Sequence, residues 1–108
     1  MTQFEIWSFN FPKKGVHPVV LISHPDLYAQ DVVNVLYCTT QKQSRGPKPF
    51  EVMLDTADGL NWETFCDCSI LWSVPTAGIA AKRGRVTLER RRAIRAKVRD
   101  LFLLNATD

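Results

Sequence analysis

Up to residue 78 the chain is cut into short runs rich in β-branched and aromatic residues, each ending at proline, glycine or a polar cluster. Runs of that length and composition fold as strands. Phe4-Glu5-Ile6-Trp7-Ser8-Phe9 alternates apolar and polar residues. Pro12, Gly15 and Pro18 then break the chain around Lys13 and Lys14, which predicts a basic loop. Pro18 to Ser23 reads as a buried strand. His24-Pro25-Asp26 is a turn signal. Val32 to Cys38 is a third strand, ending at Thr39-Thr40-Gln41, and a polar loop follows from Lys42 to Pro49. Phe50 to Leu54 alternates again, Asp58-Gly59 is a tight turn, and Thr64 to Val74 is strand-like.

Beyond Pro75 and Gly78 the pattern becomes helical. Thr87 is a suitable N-cap, and Glu89 suits the positive end of a helix dipole. Ile94, Val98, Leu101 and Phe102 recur at helical spacing, with arginines at 90, 91, 92, 95 and 99 around them. Five or so short strands and one terminal helix predict a mainly β (α+β) fold, a small, strongly curved antiparallel sheet or a barrel. The 108 residues fit a single domain, 1–108, and 45% hydrophobic content supplies one core. The longest aliphatic run, Val19 to Ile22, is far short of the ~20 residues that span a bilayer. The first residues lack the basic and apolar regions of a signal peptide. A cytoplasmic protein with no membrane partner is expected.

A formal charge of +3 conceals a strong asymmetry. Residues 1–81 hold five basic and eight acidic residues, net −3. Residues 82–99 hold nine basic residues and one acid, net +8. Such a cluster meets phosphate or an acidic partner, or is a solvated helix face. The cysteines, Cys38, Cys66 and Cys68, are an odd number and read as reduced, buried small hydrophobes. Neither His17 nor His24 stands at a spacing that would complete a zinc site with them, so no metal and no cofactor is expected.

No glycine-rich phosphate loop and no hydrolase or zinc-protease motif is present. Three features remain: His17 beside Lys13 and Lys14, the Thr39-Thr40-Gln41 cluster followed by Arg45 and Lys48, and the basic terminal helix. Histidine moves protons near neutral pH, and lysines hold phosphate. Threonine and glutamine at a strand end offer donors to phosphate oxygens, or simply cross-strand hydroxyl pairs. Together they match the needs of RNA cleavage without a metal. That reaction requires a base for the ribose 2′-hydroxyl, an acid for the leaving 5′-oxygen and donors for the phosphorane charge.

The chain resembles the MazF/PemK toxins of bacterial type II toxin–antitoxin systems, which include Kid. The resemblance is carried by Gly15-Val16-His17-Pro18-Val19-Val20-Leu21-Ile22-Ser23, by Val35-Leu36-Tyr37-Cys38-Thr39-Thr40-Gln41 and by Pro49-Phe50-Glu51-Val52-Met53-Leu54. Gly59-Leu60, Thr64, the Cys68 strand and Gly84-Arg85-Val86-Thr87 follow in the family's order. It implies an SH3-like, strongly bent antiparallel β-barrel with a C-terminal helix, assembled as a homodimer. It also implies an endoribonuclease that cuts single-stranded mRNA at short sequences without a metal, leaving a 2′,3′-cyclic phosphate and a 5′-hydroxyl. The implied partners are RNA and a cognate antitoxin with an acidic C-terminal tail.

Carried over residue by residue, the family's catalytic arginine falls on His17 and its catalytic threonine on Thr39. Gln41 joins Thr39 in stabilising the phosphorane. The catalytic aspartate of the Kid branch falls on Ser69, and an arginine of that branch falls on Asp67. Lys13, Lys14, Thr40, Lys42, Arg45 and Lys48 are the expected RNA contacts. The departures at 17, 67 and 69 motivate an alternative, a non-catalytic or gyrase-poisoning binder on the same barrel.

Overall fold

The computed structural model describes residues 1–40 and 45–102. Its strands are β1 (Glu5–Phe11), β2 (Gly15–Leu21), β3 (Val32–Thr40), β4 (Glu51–Leu54), β5 (Thr64–Asp67), β6 (Trp72–Pro75) and β7 (Ile79–Arg85). A single α-helix, α1 (Leu88–Leu101), ends the described chain. The strands form one sheet in the order β4-β5-β3-β2-β1-β7, with β6 also pairing β3. Every pairing is antiparallel. The mainly β class with a C-terminal helix is as the sequence predicts.

β3 is shared between neighbours. One of its edges pairs with β6 through Val32–Val35 and with β5 through Cys38–Thr40. The other edge meets β2 only through Val35, Leu36 and Tyr37. Successive side chains on a strand point to opposite faces, so one strand feeds two cores. Val20, Leu36 and Cys38 pack with Ile6, Leu54 and Ile94 of α1. Val19, Leu21, Val33 and Val35 pack with Phe9, Phe11 and Val74 on the other side. Double-sided burial explains the unbroken apolar run in β2. Cys38, Cys66 and Cys68 are free and buried, as expected. Hydrogen bonding with Cys38 and Cys68, added to burial, pushes the Cys66 thiol well up, which keeps it unreactive.

Three details differ from the sequence expectation. The long strand from Thr64 to Val74 is two strands. Asp67 Oδ1 accepts the Ser69 N–H (2.8 Å) and the Ser69 hydroxyl, and this aspartate-led turn ends β5. The basic loop of 12–18 narrows to the turn Pro12–Lys14, and β2 already starts at Gly15. The third difference is β7, unforeseen because Ala80-Ala81-Lys82-Arg83-Gly84-Arg85 has neither alternation nor β-branched residues. It exists through its pairing with β1.

Thr87 caps α1 by accepting the Arg90 N–H, as expected. Ile94 is buried and Val98 packs beside it, but Leu101 is exposed. Several of the helix's cations are bound in place. Arg90 forks onto Asp55 (2.7 and 3.0 Å) and also reaches Asp58. Arg91 Nε donates to the Val86 carbonyl and Lys97 Nζ to the Pro49 carbonyl. The turn that supplies Asp58 presses against β7. A Cβ on Gly84 would lie 2.0 Å from the Asp58 carbonyl oxygen, so only glycine fits there.

The buried carboxylate Glu5 ties β7 to β1 through Lys82 Nζ (2.7 Å). Burial alone would raise its pKa, but Lys82, the Thr2 N–H and the Trp7 indole outweigh that and hold it at about 2, against an ordinary 4.5. A carboxylate depressed in the folded state stabilises fully above its unfolded pKa and loses that contribution as pH falls through its folded pKa. Unfolding by urea at a series of pH values should therefore show about 2 kcal/mol lost between pH 4.5 and 2, after allowing for screening at the half-exposed Lys82. Lys82→Met should flatten that dependence. An unchanged profile would show that the pair contributes nothing.

Candidate active site

The seam between β2 and β3 opens just where the sequence places its candidate residues. Leu21 C=O accepts from the Phe4 N–H while the Ile22 N–H donates to the Asn34 carbonyl, so even-numbered residues here direct their backbone groups at β3. The ladder stops at Val19↔Tyr37. The next even position is Pro18, which has no N–H to give. Continued register would set His17 opposite Thr39. No such pair forms, and the two strands part, while on its other edge β3 continues to pair through Thr39 and Thr40 with Phe65 and Thr64 of β5. The gap is a cavity of about 540 Å³ lined by Val16, His17, Pro18, Thr39, Thr40 and Arg83.

His17 is half-buried and held on its inner side. Its Nε2 lies 2.9 Å from the Lys14 carbonyl oxygen and 3.1 Å from the Tyr37 hydroxyl. A carbonyl can only accept, so this contact assigns the proton of the neutral ring to Nε2. Nδ1 then carries the lone pair and is the nitrogen able to take a proton. Tyr37 also stacks obliquely on the imidazole, with centroids 4.7 Å apart, and Phe11 meets it edge-on at 6.3 Å. Burial, with a smaller contribution from Cys38, raises the Tyr37 phenol pKa, so it stays un-ionised. The pocket wall thus fixes the ring's orientation and tautomer.

The other candidates divide. Thr39 and Thr40 share the cavity with His17. Lys14 takes part through its carbonyl, and its ammonium lies 5.5 Å above the Tyr37 ring. Lys13 is exposed in the turn with a positive φ of 69°. Arg45 is committed to Glu51 through two bonds, 2.8 and 3.2 Å, and lies over the Phe65 ring. Lys48 is exposed, and its N–H donates to the same Glu51. Ser69 does not line the cavity, and its hydroxyl is spent on Asp67. Gln41 and Lys42 lie outside the described residues. Arg83 was missed, because its strand was.

A second cavity, about 200 Å³, lies where Phe4, Ile22, Ile94 and Val98 meet Arg95 and Arg99. None of the side chains lining it exchanges a proton near neutral pH, so it offers no acid–base chemistry.

The chain's residues 2–102 match the family model described as PemK-like, MazF-like toxin of type II toxin-antitoxin system. By sequence alone, no individual curated protein matches. Among solved structures, the fold is similar to the Mycobacterium tuberculosis toxin MazF-mt6, with TM-score 0.79 and 19% identity over 94% of this chain and 98% of that one. It is also similar to an endoribonuclease from a mycobacterial species in complex with its cognate antitoxin (TM-score 0.82, 15% identity, 97% of each chain). A MazE–MazF structure from Deinococcus radiodurans gives TM-score 0.77 at 14% identity, covering 97% of this chain and 98% of that one.

Proposed function

The chain belongs to the PemK-like, MazF-like toxins of type II toxin–antitoxin systems, and from that premise we propose that it is a metal-independent endoribonuclease acting on single-stranded mRNA. The observation that carries this reading is the meeting of His17 with Thr39 and Thr40 across the opened β2–β3 seam. A strand of RNA lies over the cavity with a ribose 2′-hydroxyl at His17 Nδ1. His17 takes the 2′-proton, the 2′-oxygen attacks phosphorus, and the P–O5′ bond breaks. The 5′-oxygen leaves with a proton supplied by water. The products are a 2′,3′-cyclic phosphate and a 5′-hydroxyl. Thr39 and Thr40 direct donors at the phosphate oxygens, where charge builds up in the phosphorane.

Lys13, Lys14 and Lys48 sit outside the cavity and serve the flanking phosphates together with Lys42, while Gln41 joins Thr39 in stabilising the phosphorane. Arg45 is tied to Glu51 rather than reaching for RNA. The partner is a cognate antitoxin with an acidic tail, and the protein works as a homodimer. The solved relatives support the partner class, since one is a mycobacterial endoribonuclease bound to its antitoxin.

Purified protein, freed of any antitoxin, should cut a long mixed-sequence RNA in the presence of EDTA at a limited set of sites. RNA that stays intact over a wide range of concentrations of folded protein would refute the reading.

A further inference from the structure

Among the described residues lining the cavity, Arg83 alone carries a fixed positive charge. A phosphodiester arrives with one negative charge, and His17, which must be neutral to act as the base, does not offset it. We propose that Arg83 is the phosphate-gripping residue of this cavity, its guanidinium forking onto the non-bridging oxygens of the scissile phosphate. The reaction this serves rests on the endoribonuclease reading. The anion site itself does not.

The backbone aims Arg83. On β7, Gly84 pairs with Ile6 and Lys82 with Trp7, so Arg83 is an extra residue opposite no partner. Such a bulge re-aims one side chain without ending the strand. Gly84 fixes its place, because the close approach of the Asp58 carbonyl leaves no room for any side chain there. The bulge therefore cannot slip by one residue.

The charge is also left uncompensated among the described residues. Neighbouring Lys82 is committed to Glu5 at 2.7 Å. Arg83 is half-buried, and among the described residues its one side-chain hydrogen bond is a long one from Nη1 to the Ser8 hydroxyl, 3.3 Å. Among the described residues no carboxylate pairs with it. A partly desolvated guanidinium with most of its five donors unmet is suited to bidentate binding of an anion. The Ser8 contact holds the head in place without neutralising it.

The test uses the whole protein with Arg83→Gln, Arg83→Lys and Arg85→Gln. Arg85 is exposed on the same strand and does not line the cavity, so its variant matches the charge change alone. Two readouts are taken, cleavage of a mixed-sequence RNA in EDTA and salt-dependent binding of a mixed-sequence 2′-O-methyl RNA. Arg83→Gln should lower kcat/KM by about 100-fold, as loss of an oxyanion donor does. Arg83→Lys should recover only part of it, because an ammonium cannot fork. Arg85→Gln should stay within about twofold. The slope of log binding constant against log salt should shrink by about 0.7 in Arg83→Gln, the share of one phosphate contact on a single strand.

Wild-type cleavage by Arg83→Gln, or equal slope losses in the 83 and 85 variants, would overturn the assignment. If the wild type cuts no RNA yet Arg83→Gln alone loses slope, the cleavage reading fails and the anion site stands. Should the Gln variant not fold, Arg83→Lys decides, since it keeps the charge and loses only the fork.

Discussion

His17→Ala is expected to lower RNA cleavage by about 10²–10⁴-fold, the usual contribution of a positioned acid–base group. The fold should survive, because the ring is only half-buried and its removal leaves Phe11 and Tyr37 packed on each other at 5.0 Å. His24→Ala is the comparison. His24 is exposed, and its Nδ1 accepts the Asp26 N–H in a surface turn, so cleavage should not change. A single-turnover assay on both variants separates loss of chemistry from loss of binding. Full activity in His17→Ala would remove the proton-transfer step from this cavity.

The second large effect is on stability. Asp58 has a fully buried side chain that accepts from the Thr87 and Asp55 N–H groups, and Arg90 brings the cation that balances it. Arg90→Met leaves that carboxylate buried and unpaired, which costs about 3–5 kcal/mol. In a domain of this size that lowers Tm by more than about 10 °C. Arg92→Met, an exposed arginine of the same helix, should change stability by less than about 0.5 kcal/mol. Equal shifts in the two variants would show that helix charge, not the Asp58 cluster, is being measured. The same cluster holds the turn against Gly84, so a milder substitution, Arg90→Lys, should loosen β7 before it unfolds the rest.

The basic segment of residues 82–99 thus has a different meaning from its raw charge. Arg90, Arg91 and Lys97 are fastened to a carboxylate pair or to carbonyls, and Lys82 is fastened to Glu5. Of that segment, Arg83 is the residue that lines the cavity.

Much of this architecture is legible in the residues. β-branched runs between prolines and glycines mark β1 to β4, and Thr87 with Ile94 and Val98 marks the capped, core-facing helix. The convergence of His17 and Thr39 follows from antiparallel pairing of two recognisable strands. What was hidden depends on partners distant in sequence. β7 has no strand signature of its own and is made by β1. Its bulge, and hence the direction of Arg83, is set by register and by the contact of Gly84 with a turn about 25 residues earlier. Asp67 and Ser69 show the opposite case. The resemblance sets Ser69 at the place of an aspartate, and nothing in that pattern announces that Asp67 accepts both the N–H and the hydroxyl of Ser69 in the turn that ends β5.

The most direct measurement uses a DNA strand carrying a single ribonucleotide at a site the protein cuts in RNA, incubated with the protein in EDTA. Cleavage only at that ribonucleotide, leaving a 2′,3′-cyclic phosphate and a 5′-hydroxyl, is the result expected if the 2′-oxygen attacks in the cavity of His17 and Thr39. Cleavage of the all-DNA strand, or products bearing a 5′-phosphate, would contradict it.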